Sequence, residues 1–105
     1  MNAEPGDLPR LRRLWDRHRT TPFPERGADA ATQELALYES WLGTIVEETL
    51  AKGKVSAAHC GLLRARSEEG NQPLFRLASD LGEVGRAYAG RLLAIEDLVR
   101  RLAGP

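Results

Sequence analysis

The chain has 105 residues, 42% apolar and 29% charged, the size and balance of one soluble domain with a single modest core. Its 15 Lys and Arg offset its 15 Asp and Glu, so no global field draws nucleic acid or an anionic membrane, and any such binding has to be local. A lone cysteine, Cys60, rules out an intrachain disulfide and a Cys-rich zinc site, and no uncharged run approaches the roughly 18 residues that cross a bilayer.

Residues 1–7 read as a flexible N-terminus, and the first predicted helix covers 8–19. Asp7 is placed to cap its free amides, Pro9 is tolerated in the first turn, and Leu8, Leu11, Leu14, Trp15 and His18 share one face. Pro22 and Pro24 stop it and open a loop over 20–28, in which Phe23 is held extended and plugs an apolar gap. A second helix begins near Asp29 or Thr32 and runs to Lys52, with Gly53 as a left-handed cap. Leu35, Tyr38, Leu42, Ile45 and Thr49 step by 3 or 4 along it, with Ala31, Trp41 and Val46 widening the stripe.

Ser56 is a good N-cap for a short third helix to Glu69, which turns Ala57, Cys60 and Leu63 inward with Leu62 at the margin. Asn71 and Pro73 start the last helix, where Leu74, Leu77, Leu81, Val84, Tyr88, Leu92, Ile95, Val99 and Leu102 recur every 3 or 4 residues. At 1.5 Å per residue that helix is about 43 Å long and spans the domain. Gly82, Gly85 and Gly90 fall inside it, each costing about 1 kcal/mol relative to Ala. Close approach of a neighbouring helix over Ala78, Gly82, Gly85 and Ala89 would offset that cost. Glu96 with Arg100 and Asp97 with Arg101 read as i,i+4 pairs on a solvated face, each contributing about 0.3 to 0.5 kcal/mol. The expected fold is all-α, a single domain over 1–105. It is a three- to four-helix bundle with the long C-terminal helix packed antiparallel on the second helix and the short helix on their seam.

Motifs for chemistry are missing from the sequence. No G-x-x-x-x-G-K-[ST] or G-x-G-x-x-G loop presents amides to a phosphate, and no G-x-S-x-G elbow presents a nucleophile. Cys60 has His59 beside it, but adjacent helical residues point about 100° apart, so the thiol reads as a small buried apolar group. Asp16 with His18 and His59 with Cys60 lack metal-site spacing. Glu47-Glu48, Glu68-Glu69 and Glu96-Asp97 are contiguous on helices, so each pair diverges rather than sharing an acid-base task. No catalytic residue, metal or cofactor is expected, and the chain reads as a non-enzyme.

Thirteen of the fifteen basic residues are Arg, and the one dense cluster is Arg10, Arg12, Arg13, Arg17 and Arg19. Arg10, Arg13 and Arg17 step by 3 and 4 and line one helical face, with Arg12 and Arg19 flanking it. A solvated helix face, or pairing with the acidic middle segment of the same chain, is the plainer account of such a row; as a functional feature it is the candidate interaction surface. The reading is a protein interaction or regulatory domain acting through a helix face, its partner another protein or a second copy. The alternative is a nucleic-acid-binding protein using the Arg-rich helix. The balanced charge and the absence of interleaved aromatics weigh against it, since Trp15 belongs to the apolar face. The first seven residues hold no basic region followed by an apolar stretch, which predicts the cytoplasm.

Trp41-Leu42-Gly43 resembles the W-x-G turn of the small helical-hairpin proteins exported by type VII secretion. Here it falls inside a predicted helix, Pro22 and Pro24 interrupt the first long helix, and Leu92 stands four residues after Tyr88 where the export motif has an acid. That family is set aside. The pattern Leu14-Trp15-Asp16-Arg17-His18-Arg19, Phe23-Pro24, Lys52-Gly53, Tyr88-x-x-x-Leu92 and Leu98-Val99 is similar to small uncharacterised all-helical proteins common in actinobacteria. That resemblance implies a helical fold and a cytoplasmic setting, and it assigns no activity.

Overall fold

The computed structural model describes residues 6–23, 30–69 and 82–104, which form four helices and no strand. These are α1 (Asp7–Arg19), α2 (Ala30–Lys52), α3 (Ala57–Glu69) and α4 (Gly82–Ala103). The all-α bundle with its long C-terminal helix packed on the second is therefore observed, and α4 also touches α1 and α3. The expectations on Leu74, Leu77, Ala78 and Leu81 and on the cap at Asn71 lie outside the described residues, as do 1–5 of the N-terminus and 24–28 of the loop.

The core forms where the apolar stripes meet. Leu11 and Trp15 come from α1, Leu35, Tyr38, Leu42, Ile45 and Val46 from α2, Leu63 from α3, and Tyr88, Ala89, Leu92, Ile95, Leu98 and Val99 from α4. Each fully buried Leu, Ile or Val contributes about 1.5 to 3 kcal/mol over the exposed side chain. The sequence reading left α1 without a packing partner. The structure places it along both α4 and α2, with α4 its more extensive neighbour. Asp7 lies by Arg101 and His18 by Tyr88 on α4, while Arg12, Trp15 and His18 meet Leu50, Gly43 and Glu39 on α2. Read in order, these pairs show α1 running opposite to both, so α2 and α4 are not the antiparallel pair that was expected; the antiparallel partner of each is α1.

The helix ends follow local chemistry. Gly53, at φ +78°, donates its N–H to the Thr49 carbonyl, and Gly104, at φ +84°, donates to that of Arg100, so each α2 and α4 terminus closes on a glycine in the left-handed region. Ser56 Oγ accepts the His59 N–H at 3.2 Å and caps α3. The hydroxyls of Thr20 and Thr21 both donate to the Arg17 carbonyl, finishing α1 before Pro22. Phe23 sits half-buried with its edge on the Tyr88 ring, filling the gap expected of it.

Several expectations about single residues need correction. Asp7 is the first residue of α1 rather than its cap; it is buried and its carboxylate lies 3.5 Å from Arg101, which thus reaches across to α1 instead of pairing within its own helix. Gly82 is not inside a helix. Its φ of +75° is incompatible with a right-handed turn running through it, so α4 starts there. Val84, in the first turn of α4, is 69% exposed rather than part of the packing stripe. On α3, Ala57 and Leu62 are exposed, and Leu63 alone of the expected stripe is fully buried. Glu96 is only 2% exposed: it stands four residues after Leu92 on the apolar stripe, so it is a core residue and not part of a solvated pair.

Candidate functional site

Among the described residues, polar side chains gather at the junction of α1, α2 and α4, between α2, α3 and α4, near the start of α3, and on the outer face of α1. At the junction His18 is 3% exposed, because its position on the α1 stripe carries it inward with Leu11 and Trp15. Its ring stacks on Trp15 with centroids 5.4 Å apart and leans on the Tyr88 ring at 4.8 Å. Nε2 of His18 lies 2.6 Å from Glu39 Oε2, and the Tyr88 hydroxyl donates to the same oxygen. One carboxylate oxygen on α2 therefore ties α1 to α4.

An open cleft of about 560 Å³ lies over this cluster, lined by Trp15, His18, Arg19, Phe23, Glu39 and Glu47 among others. Its chemistry is that of a tether. Burial and the Glu39 carboxylate raise the Tyr88 pKa, so the phenol remains a donor and not a base. The hydroxyls of Thr21 and Thr44 are spent on the carbonyls of Arg17 and Ser40. Nδ1 of His18 is buried without a hydrogen-bond partner among the described residues. Sequence reading found His18 as an apolar-face residue but missed Glu39 and Tyr88 as its partners, because they come from different helices and no spacing links them.

A second polar node sits between α2, α3 and α4. The Tyr38 hydroxyl donates to Glu96 Oε1, Arg100 Nε donates to Glu96 Oε2 at 2.9 Å, and Arg100 Nη1 donates to the Leu63 carbonyl at 2.7 Å. A buried charge is retained when it is paired and hydrogen-bonded in this way. Near the start of α3, His59 Nδ1 lies 3.0 Å from Glu48 Oε1. The Glu48 carboxyl is held below its usual range, chiefly by a hydrogen bond from Ser56, with Lys52 and His59 adding to it against some desolvation. Cys60 is half-buried, with its thiol 4.0 Å from the Val55 carbonyl, rather than a core residue. Among the residues whose surroundings are described, no group of three His, Cys, Asp or Glu side chains could hold a metal ion.

The outer face of α1 carries Arg10, Arg13 and Arg17, all exposed. No carboxylate lies within 4.0 Å of any of the three among the described residues. Arg12 and Arg19 do not flank this row closely. At 100° per residue they point roughly 140° away from it, toward α2, where Arg12 Nη2 meets the Leu50 carbonyl at 3.4 Å and Arg19 lines the cleft. The row is thus three guanidiniums on one flank, presented by a helix whose other side is locked into the core.

Of the proposed close-packing face, Gly85 and Ala89 are buried in α4, while Gly82 is half-buried at its start. The closest glycine approach whose surroundings are described is elsewhere: a Cβ on Gly43 would meet Trp15 Cη2 at 3.1 Å. Trp15 therefore packs against α2 at the place where Gly43 leaves it room. No family model, curated protein or solved structure matches the chain. No helix among the described residues is long and apolar enough to cross a membrane.

Proposed function

We propose that this protein is a non-enzymatic interaction domain that binds a protein partner through the outer face of α1. The observation that carries the reading is the row Arg10, Arg13 and Arg17, exposed and without a carboxylate neighbour among the described residues. Ordinary helix faces in a balanced protein mix both signs. Here one flank of α1 carries three like charges spaced 3 and 4 apart, an arrangement that costs a few tenths of a kcal/mol per pair in the free molecule. An opposite surface would relieve that repulsion. Rigid presentation favours the same reading, because α1 is anchored at both ends, by Asp7 to Arg101 and by His18 to Glu39. The tethered chemistry of the junction supports a structural use of the cleft residues rather than a reaction.

The experiment is affinity capture from the native cell extract with the wild-type chain and with R10E/R13E/R17E, after circular dichroism establishes that both are equally helical. A protein retained by the wild type and lost by the variant supports the proposal. A retained protein indifferent to the variant places the interface elsewhere and refutes it. Retention of duplex nucleic acid with a salt slope near −2.7, about 0.9 for each of three phosphate contacts, would put a nucleic-acid interface in its place.

A further inference from the structure

We infer that the partner surface for α1 is an acidic α-helix of another protein, lying along the row Arg10, Arg13 and Arg17 with carboxylates at matching helical spacing. The inference rests on the reading above and adds the partner's form. The three guanidiniums occupy 7 residue steps, about 10.5 Å of helix axis, and each is a planar fork that matches a carboxylate in two parallel hydrogen bonds. A second helix packed alongside presents carboxylates with the same rise when they stand at i, i+4 and i+7 in the antiparallel sense, or at i, i+3 and i+7 in the parallel one.

A second copy of the chain cannot supply that row. Asp and Glu stand at 4, 7, 16, 25, 29, 34, 39, 47, 48, 68, 69, 80, 83, 96 and 97, and no three of them follow one another at steps of 3 or 4. The exposed acids of α2, Glu34 and Glu47, are 13 residues apart, too far to serve the row together. On α1 itself the exposed Asp16 lies roughly 90° round from the centre of the row, so it neither neutralises the three arginines nor blocks a helix laid along them. The charge of the whole chain is balanced, so attraction on this flank is short-ranged and depends on register, which favours a spaced row of carboxylates over a uniform polyanion.

The test uses two synthetic Ala-based helical peptides of equal composition and charge, one with Glu at i, i+4 and i+7, the other with its Glu residues spread around the helix. Binding to the full chain is followed by fluorescence anisotropy at low and physiological salt. The expected result is about tenfold tighter binding of the ordered row than of the spread peptide, with the difference shrinking at higher salt, since three exposed ion pairs contribute modestly each. The R10E/R13E/R17E chain should lose the preference and gain one for the corresponding Lys-row peptide. Equal binding of the two Glu peptides overturns the acidic-helix inference, even where affinity capture upholds a protein partner for the same face. Tighter binding of a duplex oligonucleotide than of the ordered peptide overturns both.

Discussion

Replacing Gly43 by alanine sets two effects against one another, and the structure decides between them. In an exposed helix interior the change gains about 1 kcal/mol, because alanine has the better helix propensity. At Gly43 the new methyl lands 3.1 Å from Trp15 Cη2 and 3.3 Å from Cζ2, inside the roughly 3.5 to 4.0 Å optimum for carbon pairs. The indole has little room to retreat, since Trp15 is buried and stacked on His18, which is itself held by Glu39. Overpacking of this kind costs about 1 to 3 kcal/mol, so Gly43→Ala should destabilise by about 1 kcal/mol net. Gly90 is the control: it is exposed, and a Cβ there meets nothing within 4 Å. Gly90→Ala should therefore stabilise by about 0.5 to 1 kcal/mol. A difference of 1 kcal/mol moves Tm by about 4 to 8 °C in a domain of this size. Thermal and urea unfolding by far-ultraviolet circular dichroism should show the two variants moving in opposite directions. A rise in Tm for Gly43→Ala equal to that for Gly90→Ala would show that Trp15 does not rest on this glycine.

Leu92→Ala, at a fully buried position of α4, should cost about 2 to 5 kcal/mol in urea unfolding; a loss under about 1 kcal/mol would place that stripe at the surface. Tyr88 is a phenol whose folded pKa is raised above its ordinary 10.0, first by burial and then by Glu39, so its contribution is fully present below that value and fades as pH rises through the folded one. Tyr88→Phe should accordingly flatten the alkaline fall in stability, and an unchanged alkaline profile would refute the assignment. Glu48 shifts the other way: its contribution is present above the ordinary 4.5 and is lost as pH falls through the lower folded value. Ser56→Ala removes the α3 cap, which should cost about 1 kcal/mol, and separately removes the main cause of that depression, which should lessen the acid dependence read from stability curves at several pH values.

What the sequence made legible was whatever depends on neighbours three or four residues away. The stripe Leu35, Tyr38, Leu42, Ile45 and Thr49 is buried as read, and Gly53 and Ser56 end and begin their helices where their chemistry directs. Glu96 was legible too, by register, since it follows Tyr88 and Leu92 at steps of four; its charge obscured a position that geometry already made interior. Gly82 carried the opposite ambiguity, because a glycine within an apolar repeat fits a close contact and a chain break equally well until φ is known. The tie of His18 to Glu39 and Tyr88 was out of reach, joining residues 21 and 49 or more positions apart through the packing of three helices. For the interaction surface, the sequence placed Arg10, Arg13 and Arg17 on one flank; that Arg12 and Arg19 turn to α2 became visible only once α2 had a place.

The proximity of Asp7 to Arg101 bears on how the chain is made. Synthesis delivers α1 before its principal neighbour, α4, so loops of about 70 residues, from His18 to Tyr88, and of 94, from Asp7 to Arg101, close before α1 is covered on both sides. For a helical protein this is a long-range contact, and it delays the packing of α1 until α4 has left the ribosome. A nascent chain halted before α4 would display the apolar side of α1 to whatever chaperone attends it. A permuted chain that links residue 104 back to residue 6 and opens at Gly53 would instead place α4 immediately before α1, making the contact of Asp7 with Arg101 an early and local one.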